Sequence, residues 1–175
     1  MIRLADLERL PRPGSGGFDD HWFGFRHDPQ VAQLGWPELV VEQFLFDHGN
    51  DWRFVQQYGH LDLTAIEWTL ELLSARVLAT VTGSERSLVG RVEECAVAPS
   101  LYIGMRPVTE RQQWDRAGTW IKPPLVVTAA LLDPPREGLH IVEGHTRLGI
   151  LQRRLASGQA DPDASHEVYV GAQRS

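Results

Sequence analysis

Two short apolar segments separated by a turn-rich stretch constrain the fold of this chain more than any other feature. Leu125-Val126-Val127 and Leu139-His140-Ile141-Val142 are rich in β-branched residues, and between them lies Asp133-Pro134-Pro135-Arg136-Glu137-Gly138. Apolar β-branched runs bounded by proline, glycine and aspartate are typical of strands joined by a turn. The sequence therefore predicts a β-hairpin in the C-terminal half of the chain.

A helix with a glycine at its start is predicted directly after the second strand. Leu148, Leu151 and Leu155 lie on one face of this helix, and Gly144 and Gly158 stand where it begins and ends. The other elements predicted in this half are a strand at 101–103, a helix from Thr109 to Ala117 ended by Gly118, and a last strand at 168–170. The C-terminal half therefore combines strands and helices.

The first 98 residues show mainly helical patterns. Helices are predicted within residues 1–10, 37–47, 51–58 and 84–96. Ile66, Leu70, Leu73 and Val77 are spaced by four, three and four residues, which predicts a longer helix that starts near residue 62 or 64. We therefore expect an α+β protein, in which a mostly helical region of residues 1–98 packs on a small mixed-sheet domain of residues 99–175.

The formal net charge of −6 is divided unequally along the chain. Residues 1–98 carry eight arginines against fifteen acidic residues, a net charge of −7, whereas residues 99–175 carry +1. An acidic surface repels nucleic acid, so we expect no general binding of DNA or RNA. The C-terminal half can hold a local anion site, and hydrophobic and charged fractions of 42% and 23% exclude wholesale disorder and a collagen-like repeat.

The joint between the second strand and its helix contains the residues that point to chemistry, Glu143-Gly144-His145-Thr146-Arg147. Glycine lets the backbone approach a ligand closely, and the first amides of a helix attract anions such as phosphate. Arg147 lies one turn into the helix, where a guanidinium can bind a phosphate or carboxylate through two hydrogen bonds. The alternative is an ordinary capped helix, in which Glu143 and Thr146 satisfy end groups and Arg147 is a surface residue.

The run Ile141-Val142-Glu143-Gly144-His145-Thr146-Arg147-Leu148-Gly149-Ile150-Leu151 resembles the phosphate-binding box of the ParB/sulfiredoxin-like superfamily. Members carry a strand, an acidic or small residue, glycine, two variable residues, and then arginine and a helix. The preceding helix, the Pro-Pro-Leu-Val-Val strand and the final Val-Tyr-Val strand follow in the order that this superfamily uses. The resemblance covers about residues 100–172, whereas the first 98 residues resemble no family.

The resemblance implies a nucleotide or phosphate site at Gly144, His145, Thr146 and Arg147, to which Arg106 is a weaker addition. Glu143 and His145 are the candidate catalytic residues, and Glu143 is the candidate ligand of a Mg²⁺ ion that accompanies the nucleotide. Phosphoryl transfer and nucleotide hydrolysis are the reactions that such a site can support.

Two departures from the superfamily narrow these expectations. Sulfiredoxins need a cysteine in the box, but the corresponding position here is His145 or Thr146, and Cys95 lies outside the motif. Partitioning proteins have a second arginine in the box and a DNA-binding region after it, and neither is present before residue 175. The pattern is therefore closest to the kinase-like and nuclease-like members, although a nuclease would need a more basic surface.

A second hypothesis of a different class is a non-catalytic interaction or regulatory module. The acidic N-terminal region would then be the surface for a protein partner, with Trp22, Phe23 and Trp36 exposed in one patch. Burial of all three side chains would count against it.

Several simpler features complete the expectations. The single Cys95 cannot form an internal disulfide, and neither a signal peptide nor an apolar stretch long enough to cross a membrane is evident, which favours the cytoplasm. His60 and Asp62 have no partners at metal-site spacing and are interpreted as loop residues. Arg153 and Arg154 are predicted to be solvated helix residues.

Overall fold

The described strands form one four-stranded sheet. The structure, a computed structural model, describes residues 1–10, 18–83, 91–95 and 108–174. The strands are β1 (Ile66–Ser74), β2 (Leu125–Thr128), β3 (Leu139–Glu143) and β4 (Ser165–Gln173), arranged in the order β1-β4-β2-β3. Together with the helices they give the α+β class that the sequence predicts.

The helices are short, apart from three. They are α1 (Phe18–Arg26), α2 (Pro29–Ala32), α3 (Glu38–Val40, continued by the π-helical turn Val41–Phe46), α4 (Trp52–Tyr58), α5 (Ala75–Leu78), α6 (Val108–Ala117) and α7 (His145–Ala156). Residues 91–95 are also helical, and 3-10 turns occupy Leu4–Leu7, Leu63–Ala65 and Ala129–Leu131. The predicted strand at 101–103 and the predicted domain boundary at 98/99 lie outside the described residues.

The predicted hairpin is confirmed. β2 and β3 pair antiparallel, with Val126 opposite Ile141 and Thr128 opposite Leu139. Both strands are buried along most of their length, as expected for continuous apolar runs. The helix predicted after β3 is also present as α7, and the last predicted strand is β4.

The long helix predicted from residue 62 or 64 to Val77 is wrong, because this segment forms β1 followed by the short α5. Ile66, Trp68, Leu70 and Leu72 alternate with Glu67, Thr69 and Glu71. This period of two, together with the β-branched and aromatic residues, is typical of a strand, so the segment carries a strand pattern as well as the spacing of four, three and four. The N-terminal helix predicted within residues 1–10 is likewise only a 3-10 turn.

The chain divides into two compact units. The first comprises Met1–Thr69, Ala130–Arg136 and Gly171–Ser175, and the second comprises Leu70–Ala129 and Glu137–Val170. The division falls within β1 and within β4, so each of these strands contributes to both units.

The first unit is built around an aromatic core. The ring of Phe44 contacts the rings of Trp36, Phe54, Tyr58 and Trp68 at centroid distances from 4.9 to 6.0 Å. Edge-to-face contacts of this kind stabilise aromatic clusters beyond the area that they bury.

Aspartates cap the N-termini of three short helical segments of the first unit. Asp51 accepts hydrogen bonds from two first-turn amides of α4, and Asp28 caps α2 through the amide of Gln30. Asp62 accepts from the amide and the hydroxyl of Thr64, and the hydroxyl is the main cause of a lowered pKa for the Asp62 carboxyl. The short side chain of aspartate reaches the orphan amides at such positions, so local sequence determines where these elements begin.

The second unit encloses its own apolar core between the sheet and the helices α5, α6 and α7. Trp114 of α6 and Trp120 pack edge to face at 5.9 Å, and the Trp120 indole N–H donates to the carbonyl of Glu167 at 2.7 Å. The buried members of this core are Ala75, Leu78, Val81, Cys95, Trp114, Trp120, Val126, Ile141, Leu148, Ile150, Leu151, Val168 and Val170. The leucine face predicted for the last helix thus lies inside this unit.

Candidate functional site at the joint between β3 and α7

The backbone turns from β3 into α7 at Gly144. This residue has φ 100° and ψ 21°, a left-handed backbone conformation that residues other than glycine rarely adopt. A Cβ atom placed there would lie 2.5 Å from Pro124 Cβ and 3.1 Å from Pro124 Cα. Glycine is therefore required at this position both by the backbone conformation and by the proline wall beside it.

Arg147 folds back over this glycine rather than pointing into solvent. Its Nη1 donates to the carbonyl oxygen of Lys122 at 2.6 Å, and its Nη2 donates to Oε1 of Glu143 at 3.0 Å. The Arg147 side chain is 17% exposed and the Glu143 side chain 28% exposed. The guanidinium thus links the end of β3 to the segment that leads into β2.

The helix that follows is well anchored. Leu148 and Leu151 are fully buried, and the Leu148 amide donates to the Gly144 carbonyl at 2.9 Å. On another face, a Cβ added at Gly149 would lie 3.1 Å from Arg91 Cβ, which shows that the helical residues 91–95 approach α7 closely. The first-turn amides of α7 therefore have a fixed position and carry the positive end of a twelve-residue helix.

The structure brings three of the five predicted residues of the box into contact and places the other two next to them at the start of α7. Glu143 ends β3, Gly144 caps α7, and Arg147 lies above both. His145 and Thr146 are the first two residues of α7, and both are half-buried. Arg106, the weaker candidate, lies outside the described residues.

The position of Arg147 differs from the surface residue of the capped-helix alternative, whereas the anion site stays a prediction. The side chain is not a solvated surface residue, because it is mostly buried and bonded at both terminal nitrogens. Nor is it an uncommitted cation, because Glu143 already neutralises it. An anion that binds Arg147 has to replace this carboxylate or share the guanidinium with it.

The described residues do not supply a protein cage for a metal ion. Among them, no group of three or more histidine, cysteine, aspartate or glutamate side chains lies close enough together to hold one. The candidate ligand Glu143 is an ion-pair partner of Arg147. Mg²⁺ usually needs only one or two carboxylates when substrate phosphates complete its shell, and in this structure the Glu143 carboxylate is paired with Arg147, so the Mg²⁺ site stays a prediction.

The sequence did not predict that the segment before β2 forms part of the site. The carbonyl of Lys122 and the ring of Pro124 lie against Arg147 and Gly144, 20 or more positions away in the sequence. The signal that could have found them is the Pro123-Pro124 pair, since prolines have no N–H and hold the preceding carbonyls in an extended chain.

The two other arginines of α7, Arg153 and Arg154, have different environments in the structure. The prediction that Arg154 is solvated is wrong, because its guanidinium donates to the carbonyl of Trp114 at 3.3 Å and lies 5.0 Å from the centre of the Trp114 ring. Arg153 lies in the last turn of the same helix, half-buried. Arg153 is therefore the better comparison for Arg147 when the effect of charge alone has to be measured.

The three aromatic residues proposed as a partner surface do not form one exposed patch. Phe23 is 63% exposed, whereas Trp36 is 8% exposed and donates its indole N–H to the carbonyl of Ile66. Trp22 is half-buried and packs edge to face on Phe46 at 5.1 Å. The interaction hypothesis thus meets neither the condition that would favour it nor the one that would count against it.

His166 of β4 is the described histidine whose environment changes its chemistry. Its side chain is buried beside Trp120, and its Nδ1 lies 2.9 Å from the hydroxyl of Thr119. Its Nε2 has no hydrogen-bond partner in the described structure. Burial lowers the pKa of His166 below the usual 6.5, since the imidazolium form would lose its hydration.

No family model matches the chain, and neither the curated proteins nor the solved structures contain a match to it. The resemblance to the ParB/sulfiredoxin-like superfamily therefore stays a prediction that depends on the box and on the order of elements around it. In the described part of the chain, no helix is long and apolar enough to cross a membrane.

Proposed function

We propose that the joint between β3 and α7 binds the phosphate group of a nucleotide or of a phosphorylated small molecule. The observation that carries the proposal is Gly144, which is left-handed, packed against Pro124 and placed directly before a twelve-residue helix. A backbone without a side chain at the start of a long helix is the arrangement that phosphate groups favour.

Arg147 supplies the charge at this site. In the structure it donates to Glu143 and to the Lys122 carbonyl, which holds the guanidinium over the first turn of α7. A phosphate monoester carries a charge of about −1.5 to −2 at neutral pH and offers three acceptor oxygens, whereas a carboxylate carries one charge and two oxygens. A phosphate monoester should therefore bind Arg147 more strongly than Glu143 does.

Glu143 acts in this proposal as an internal competitor of the ligand. The Glu143 side chain is 28% exposed, so the displaced carboxylate can reach solvent. Catalysis of phosphoryl transfer by Glu143 or His145 is a separate hypothesis. In this structure the Glu143 carboxylate accepts a hydrogen bond from Arg147.

The experiment is a thermal-shift titration of the full chain with nucleoside mono-, di- and triphosphates, each with and without Mg²⁺. A ligand that binds only the folded state raises the midpoint of unfolding. We expect a shift for the wild type that is lost in Arg147→Ala and kept in Arg153→Ala, which removes the same charge from the same helix.

Glu143→Gln separates the competitor role from a catalytic or metal-binding role. If Glu143 competes for Arg147, its neutral variant binds the phosphate ligand more tightly, by about two- to fivefold. A metal ligand or general base would instead lose Mg²⁺ dependence or turnover in this variant. Binding that is undiminished in a folded Arg147→Ala protein would remove the basis of the proposal.

A further inference from the structure

A cavity in the first unit lies under an ion pair and is independent of the joint at Gly144. It is open to solvent, its volume is about 190 Å³, and its lining includes the buried residues Val31, Trp36 and Val41. This volume equals that of about six water molecules in the liquid and is below the range of about 300–1,000 Å³ that suits drug-sized ligands. It fits one branched apolar side chain of about four carbons.

The two charged residues that line the cavity are already paired with each other, and His27 lines it beside them. Arg26 ends α1 and Glu38 begins α3, and Nη1 of Arg26 donates to Oε1 of Glu38. The guanidinium also lies 5.8 Å from the centre of the Phe23 ring. Arg26 and Glu38 are 34% and 62% exposed, so a ligand can reach both.

Among the described residues, this pair leaves most of its hydrogen-bonding capacity unused. A guanidinium has five N–H donors and a carboxylate about four acceptor positions, while the bond between these two residues uses one of each. Gly35 borders the same cavity with φ 65°, and a Cβ built there would meet no atom within 4 Å. The cavity is therefore open next to the backbone of Gly35.

The charges on the rim define what the cavity can accept. A simple carboxylate would meet Arg26 but would be repelled by Glu38 and by the −7 net charge of residues 1–98. A simple amine would meet Arg26 unfavourably. A ligand that carries both a carboxylate and an ammonium group next to each other complements the pair without breaking it.

We infer that this cavity binds a free α-amino acid with a branched apolar side chain, such as leucine. The carboxylate accepts hydrogen bonds from Arg26, the ammonium group donates to Glu38, and the side chain contacts Trp36 and the two valines. The inference concerns a second ligand and a different part of the chain from the phosphate proposal, so either can fail without the other.

The test is isothermal titration of the full chain with L-leucine. For a ligand of this size we expect one site with a dissociation constant of about 10⁻⁵ to 10⁻³ M. Glycine, 4-methylpentanoate and 3-methylbutylamine each lack one of the three recognised groups, and each should bind at least about tenfold more weakly than leucine.

Three variants locate the binding. Arg26→Gln and Glu38→Gln each remove one charged partner, and Ala32→Phe enlarges a lining residue that is not part of the ion pair. Each should weaken leucine binding by about tenfold or more. Arg53→Gln and Glu67→Gln are matched controls on exposed residues of the same unit, and they should leave binding unchanged. Should Arg26→Gln fail to fold, Ala32→Phe and Glu38→Gln still decide the question.

Three results would overturn the inference. One is the absence of any heat of binding for leucine at about 10 mM, a concentration above the whole expected range. Another is binding that persists in all three variants, which would place the ligand elsewhere. The third is equal or tighter binding of N-acetyl-L-leucinamide, which has no charged head group and would identify the cavity as a pocket for a peptide side chain. Arg147→Ala should bind leucine like the wild type.

Discussion

Replacement of Gly144 by alanine tests the geometry of the joint directly. The added Cβ would lie 2.5 Å from Pro124 Cβ and 3.1 Å from Pro124 Cα, and Pro124 is buried within the chain that leads into β2. Real Cβ atoms do not approach other carbons so closely, so either the proline segment or the start of α7 has to move. The Tyr169 amide donates to the Pro124 carbonyl at 3.0 Å, which holds the proline in place.

The cost has two parts. An alanine in the left-handed region loses about 1–2 kcal/mol relative to glycine. Relief of the clash with Pro124 adds the cost of overpacking, about 1–3 kcal/mol. The sum is about 2–5 kcal/mol, which for a chain of this size lowers the midpoint of thermal unfolding by about 5–20 °C.

Two other glycines provide matched controls. Gly158 follows α7 with φ 70°, and a Cβ there meets nothing within 4 Å, so Gly158→Ala should cost only the conformational part. Gly24 lies within α1 with open space around it, and Gly24→Ala should stabilise that helix by up to about 1 kcal/mol. Urea unfolding followed by circular dichroism measures all three free energies. If Gly144→Ala costs no more than Gly158→Ala, then Pro124 does not lie against Gly144 as described.

Three further predictions concern stability. Gly171→Ala places a Cβ 3.0 Å from two ring atoms of the buried Trp68 and should lower the free energy of unfolding by about 1–3 kcal/mol; an unchanged value in urea unfolding would contradict this packing. Because burial lowers the folded-state pKa of His166, the unfolded chain binds more protons below about pH 6.5, so the stability present above that pH is lost as the pH falls. Wild type should therefore lose more stability than His166→Gln between about pH 7.5 and 5.5, and parallel losses would refute it. Asp51→Ala removes the cap of α4 and should cost about 1 kcal/mol in the same assay, while a neutral result would show that water replaces the carboxylate.

Much of the second unit could be predicted because its signals are local. The turn residues between β2 and β3, the leucine spacing of α7 and the glycine at 144 each act over a few positions. The same holds for α4, which begins after the capping Asp51 and ends at Gly59 as its sequence suggests. Local hydrogen bonds and side-chain periodicity determine such elements with little help from distant residues.

β1 was missed because two periodicities coincide in one segment. Ile66 and Leu70 fit a helix face of period 3.6, and they also fit a strand face of period two together with Trp68 and Leu72. The burial of Ile66 and Trp68, against 50% and 69% exposure of Leu70 and Leu72, shows that only the first half of this face is covered. Packing in the sheet decided between the two patterns, and that information is not contained in the segment itself.

The candidate sites differ in how far the sequence could reveal them. Gly144 and Arg147 were found by their spacing, but the Lys122 carbonyl was not, because its approach depends on the pairing of β2 with β3. The cavity under Arg26 and Glu38 left no local signal at all. These two residues are twelve positions apart on different helices, and only the turn between the helices makes them neighbours.

The pairing of Arg147 with Glu143 also explains why an arginine at this spacing is a weak indicator of ligand charge by itself. A guanidinium already neutralised by a carboxylate attracts only those anions that gain more than the carboxylate did. Neutral or singly charged groups have no such advantage, whereas a phosphate with nearly two charges and three acceptor oxygens does. The first-turn amides of α7 would contribute to the same preference, because the N-terminus of a helix favours negative charge. If the joint binds phosphate as we propose, the ion pair would raise its selectivity for phosphate at the expense of its affinity for other anions.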